Sequence, residues 1–92
     1  IGILPFMLPS SEELMAATVA SLRGHRITVW SKHGVMARSD ISVTRAVDRI
    51  EYAEAGGRYE YMDLVAGGGG EGLTDQESAE MVEAFGIKTD LF

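Results

Sequence analysis

The chain has 92 residues, one domain at most, with material for only a modest core. Hydrophobic residues are 46% and charged residues 24%, near the globular average, which argues against disorder. The net charge of −6, with eight Lys and Arg scattered along the chain, argues against nucleic acid as a partner, and the lack of cysteine excludes disulfides and thiolate metal sites.

The opening run from Ile1 to Pro9 is apolar. It is too short and too broken by proline to span a membrane, and it lacks the charged flank of a signal peptide. It reads as strand and loop from the middle of a protein. The expectation is a fragment or processed subunit, with Ile1 to Leu4 a strand ended by Pro5. Ser10 and Glu13 then fit a capping box for a first helix over residues 11–23. Its apolar stripe is Leu14, Met15, Thr18, Val19 and Leu22, and Gly24 is the expected stop, with Arg23 near the negative end of the dipole.

Arg26 to Trp30 and Gly34 to Arg38 are expected to be strands, linked through Ser31 to His33. Asp40 or Ser42 caps a long helix reaching about Ala66. Its expected inward face is Val43, Ala46, Val47, Ile50, Ala53, Gly57, Tyr61 and Leu64. Gly56 and Gly57 lie inside it, which predicts either a close-packed backbone or a kink. Residues 67–72 read as a glycine-rich linker. A third helix starts at a Thr74–Glu77 capping box, buries Ala79, Met81, Val82 and Phe85, and stops at Gly86. The tail from Ile87 to Phe92 is expected to dock on a surface. The order is strand, helix, strand, strand, helix, helix: a mixed α/β arrangement and half of a sheet domain.

Ser31-Lys32-His33-Gly34 is the segment that carries chemistry. A histidine at a strand end is held in place by the strand, and the glycine after it lets backbone approach closely. The plain alternative is a histidine satisfied beside a turn. One histidine cannot hold a metal, and the chain has only one other, His25, which reads as an exposed loop residue after Gly24. Any partners of His33 are therefore expected outside this chain.

The run from Val29 to Val35, together with Ile50-Glu51-Tyr52-Ala53-Glu54, Ala84-Phe85-Gly86-Ile87 and the Pro5-Phe6 pair, resembles the C-terminal part of the class II aldolase/adducin family. Within that family it most resembles the rhamnulose-1-phosphate aldolase group. The resemblance implies residues 1–92 as a partial domain of a three-layer fold, a central mostly antiparallel sheet flanked by helices. It implies Zn²⁺ held by three histidines, with His33 the third ligand and a His-x-His pair upstream. The catalytic glutamate and most of the phosphate-binding loop also belong to the missing N-terminal half, so no catalytic residue is expected here and the chain alone should be inactive. The implied reaction is cleavage of a ketose 1-phosphate to dihydroxyacetone phosphate and an aldehyde, with the cation stabilising the enediolate as a Lewis acid. A cytoplasmic homotetramer in rhamnose metabolism is implied as well. The spacing departs from the family pattern between Arg38 and Val43.

Within the same family the alternatives are a non-catalytic, adducin-like interaction domain and a related sugar-phosphate epimerase or decarboxylase. Glu54 could stand behind the metal ligands, although Arg58 offers it an ordinary ion-pair partner one turn on. Tyr52, Tyr59 and Tyr61 read as packing or interface residues, and Trp30 as core beside the metal-bearing strand. Gly67 to Gly70 has no strand before it and no Gly-Lys-Ser/Thr pattern, so a phosphate cradle is the lesser reading. Leu91 and Phe92 either reach a neighbouring active site or cover an apolar patch.

Overall fold

The computed structural model describes residues 1–87, so the docking reading of the tail and the roles of Leu91 and Phe92 lie outside the described residues. Six elements follow the expected order: β1 (Gly2–Leu4), α1 (Glu12–Gly24), β2 (Ile27–Trp30), β3 (Gly34–Ala37), α2 (Val43–Val65) and α3 (Asp75–Phe85). The chain divides into two compact units, Ile1–Glu54 and the residues from Ala55 on, with the boundary inside α2.

The first unit is built on a three-stranded sheet in the order β1-β2-β3. β1 runs parallel to β2, pairing Gly2 with Thr28 and Leu4 with Trp30, while β3 returns antiparallel, pairing Trp30 with Gly34. The sheet is thus mixed, one parallel and one antiparallel pair. α1 packs on β1 and β2. Strand alternation turns Gly2, Thr28 and Trp30 to one face and Ile3, Val29 and Val35 to the other. Ile3 is 73% exposed and Val35 38%, so the second face is open to solvent.

The α1 boundary differs from expectation at both ends. Ser11, not Ser10, is the N-cap: its hydroxyl accepts from the Leu14 N–H, and no capping box forms. Ser10 instead has a left-handed backbone, φ 63°, which turns the chain into the helix. Gly24 is the last helical residue, and the cap is His25 in extended conformation, its N–H donating to the Ser21 carbonyl at 2.9 Å. The buried face is also rotated. Leu14 and Thr18 are buried and Ala17, Ser21 and Leu22 half-buried, while Met15 and Val19 are exposed. Small residues face the sheet because β1 comes very close. A Cβ on Gly2 would lie 2.2 Å from Ser21 Oγ and 3.0 Å from His25 Nδ1.

Few large apolar side chains are sealed here, Leu14 being the buried one among the described residues. Hydroxyls fill the seam instead. Thr28, fully buried, shares a 2.7 Å hydrogen bond with Ser21, and Thr18 donates to the Leu14 carbonyl at 2.6 Å. Two arginines tie down the end of β3. Arg38 donates through Nε to the Leu22 carbonyl and through a terminal nitrogen to Asp40, and the buried Arg49 of α2 donates to the Arg38 carbonyl.

Ser42 caps α2, accepting from the Arg45 N–H at 3.1 Å. The helix then runs unbroken through Gly56 and Gly57, where an added Cβ would meet nothing within 4 Å, so neither a kink nor a close approach is realised there among the described residues. The expected inward face is not buried: Val43, Val47, Tyr61 and Leu64 are exposed and Ala46, Ile50 and Ala53 half-buried. The same correction applies to α3, where Ala79, Met81 and Phe85 are exposed and Val82 half-buried.

In the second unit the glycines end a helix. The Gly68 N–H donates to the Asp63 carbonyl and the Gly67 N–H to Leu64, a Schellman pair with Gly67 at φ 104°. The Gly70 N–H adds a bond to the Asp63 carboxylate at 2.8 Å. α3 opens on the expected capping box, in which Thr74 accepts from the Glu77 N–H and Glu77 accepts from the Thr74 N–H. It closes on Gly86 in the left-handed conformation.

Two predictions follow from these contacts. Gly2→Ala should destabilise the first unit by about 1–3 kcal/mol, because Ser21 cannot yield without breaking its bond to Thr28; urea unfolding measures this. The Thr74 N–H and then its hydroxyl hold the Glu77 carboxyl below the usual glutamate range. A depressed folded pKa stabilises above the unfolded value, and that contribution is lost as pH falls through the folded one. The Glu77 carboxyl carbon should therefore titrate low by NMR, and Thr74→Ala should move it up.

Candidate functional site

β2 ends on Trp30 and the chain reverses through Ser31, Lys32 and His33 into β3. The turn closes on a His33 N–H to Trp30 carbonyl bond of 2.9 Å. Lys32 takes the left-handed conformation at φ 64°, a state that costs an L-residue roughly 1–2 kcal/mol. Ser31 compensates by anchoring the turn to the end of β1: its N–H and hydroxyl both donate to the Leu4 carbonyl, at 3.1 and 2.6 Å. A Cβ on Gly34 would meet nothing within 4 Å, so close backbone approach is not realised around it among the described residues.

The turn sets the His33 side chain in an exposed position on the wall of an open cleft of about 490 Å³. Ser10, Ser11, Leu14, Met15, Thr18 and Val19 of the α1 side line it, and Trp30 and Met36 line it from the sheet. Met15 and Val19, of the expected apolar stripe, are part of this wall. The His33 and Trp30 rings lie 5.4 Å apart between centroids at 42°, within the range of favourable aromatic pairs. Trp30 is half-buried and not simply core: its indole N–H donates to Thr18 Oγ1 at 3.0 Å.

Among the described residues no three His, Cys, Asp or Glu side chains gather into a group able to hold a metal. His33 therefore has no companion set of metal-ligating side chains among the described residues. His25 is exposed and its ring Nδ1 lies 3.1 Å from the Ser21 carbonyl, in keeping with its reading as an ordinary surface residue. Glu54 is exposed on α2 and is not part of the cleft wall. Tyr52, Tyr59 and Tyr61 are exposed too. Sequence reasoning missed the hydrogen-bonding roles of Thr18 and Ser31. The available signal for Thr18 was a hydroxyl residue set within an otherwise apolar helical stripe; nothing local marked the anchoring role of Ser31, whose partner is 27 residues away.

No helix among the described residues is long and apolar enough to cross a membrane. No family model matches the chain, and no solved structure matches it. Curated proteins do. The chain is 32% identical over 87 residues to the rhamnulose-1-phosphate aldolase of Bacteroides thetaiotaomicron, covering 95% of this chain and 32% of that protein. Similarity to the enzymes of the same name is 27% over 88 residues in Listeria monocytogenes and 30% over 87 in Escherichia fergusonii. These alignments cover 96% and 95% of this chain, and 32% and 31% of those two proteins. The chain thus spans about a third of the length of the curated relatives it matches, and over nearly all of its own length it is a sequence relative of rhamnulose-1-phosphate aldolases, as the class II aldolase resemblance of the Val29–Val35 run implied.

Proposed function

We propose that this chain is the C-terminal part of a class II aldolase-type lyase and that His33 is one of three histidine ligands to its Zn²⁺. The observation that carries the reading is the placement of His33, exposed on the wall of a cleft and set there by a doubly anchored turn at the end of β2. The relatives' name supports a ketose 1-phosphate of the rhamnulose type as substrate. Their threefold greater length leaves room for the other two ligands, the catalytic base and the rest of a three-layer fold.

An imidazole suits zinc as a neutral nitrogen donor, and a surface site leaves its approach open. Bound zinc would supply Lewis-acid stabilisation of the negative charge left when the carbon–carbon bond breaks. What this chain contributes is the positioned donor and a cleft wall that is largely apolar. The enzyme is proposed to act in the cytoplasm, as a homotetramer on a sugar phosphate in rhamnose metabolism.

The experiment is metal analysis of the protein at its natural length. His33→Ala should lower zinc affinity at least about tenfold, and cleavage of the ketose 1-phosphate with it. The urea midpoint of the zinc-free protein should hardly move, since the ring is exposed. Unchanged zinc content in His33→Ala would overturn the assignment.

A further inference from the structure

We infer that Thr18 and Trp30 are positioning residues for the His33 imidazole, joined by a relay that begins inside α1. The inference rests on the reading of His33 as a ligand, although its structural half is tested separately. The relay has three links. The Thr18 hydroxyl donates to the Leu14 carbonyl at 2.6 Å, which uses its proton and orients its lone pairs. The same oxygen accepts the Trp30 indole N–H at 3.0 Å. The indole then lies against the His33 ring, 5.4 Å between centroids.

Burial makes the first links firm. Thr18 is 6% exposed, so its hydroxyl has little access to competing water, and the half-buried indole finds its hydrogen-bond partner there. Trp30 is also the last residue of β2, paired with both Leu4 and Gly34, so its backbone is fixed from two sides. What the strand leaves undetermined is the rotation of the indole about its side-chain torsions. The Thr18 bond sets that rotation, and the indole face in turn limits where the exposed imidazole can swing. An exposed ring on a turn is otherwise free to sample several rotamers, which weakens a metal site by the entropy of ordering it. Groups behind a ligand that fix its orientation typically affect metal affinity by about 10–100-fold.

The test uses the protein at its natural length, with ¹³C-labelled histidine and with folding checked by circular dichroism. Thr18→Val keeps the volume and removes the hydroxyl; Trp30→Phe removes the indole N–H from the other side; Thr18→Ser should restore the bond. In the zinc-free protein the His33 ring protons, identified by their loss in His33→Ala, sense the indole ring current. Thr18→Val should shift them, and Thr18→Ser should bring them back. Zinc affinity should fall about tenfold in Thr18→Val and in Trp30→Phe, with the double variant no weaker than the worse single one, because both break the same bond. Recovery of affinity in Thr18→Ser separates the bond from general loss of packing.

Unshifted His33 resonances in Thr18→Val would overturn the relay, whatever zinc does. Shifted resonances with full zinc affinity in Thr18→Val, while His33→Ala loses the metal, would overturn its role in metal binding. Shifted resonances with zinc retained in His33→Ala would defeat the ligand assignment and leave the relay as a fixture of the turn alone.

Discussion

The first unit depends on a seam of hydroxyl groups between α1 and the sheet. Where most small domains rely on interlocked large apolar side chains, this one brings Gly2 against Ser21 and joins Ser21 to Thr28 and Thr18 to Trp30. Small residues permit close approach, and close approach removes water from the hydroxyls. A buried hydroxyl must then find its partner inside the protein, so each pair specifies one register of helix on sheet. The parallel pairing of Gly2 with Thr28 and the packing of α1 are consequently one constraint.

That constraint carries through to the cleft. With α1 held close at Ser21 and Thr18, Met15 and Val19 are rotated out of the core and become wall. The strand that supplies Thr28 to the seam also ends on Trp30 and delivers the turn bearing His33. Ser31 then ties the turn back to β1 through the Leu4 carbonyl, which offsets the strained backbone of Lys32. The site geometry is therefore a consequence of the seam. Among the described residues no group of metal-ligating side chains gathers around this braced histidine.

Much of the local structure was legible in the residues. The element order, the Ser42 cap, the Thr74–Glu77 capping box and the Gly86 stop follow from interactions spanning three or four residues, which sequence spacing reports directly. The misreadings have physical causes. Gly24 against His25 and the face of α1 turn on how the helix meets β1, a contact between segments some twenty residues apart. The apolar faces of α2 and α3 were read correctly as periodic and incorrectly as buried, because periodicity shows which side of a helix is apolar and not what covers it.

His33 divides the same way. Its residue type, the strand before it and the glycine after it are written in the chain, and they sufficed to single it out and to suggest the family that the aldolase relatives support. Its exposure, its place on the cleft and the Thr18–Trp30 support behind it arise only when α1 and β2 pack, since those partners are twelve residues apart with a helix end between them. The sequence by itself determined the histidine and the local elements that carry it. Tertiary structure alone decided which hydroxyls meet, and hence where that histidine is held.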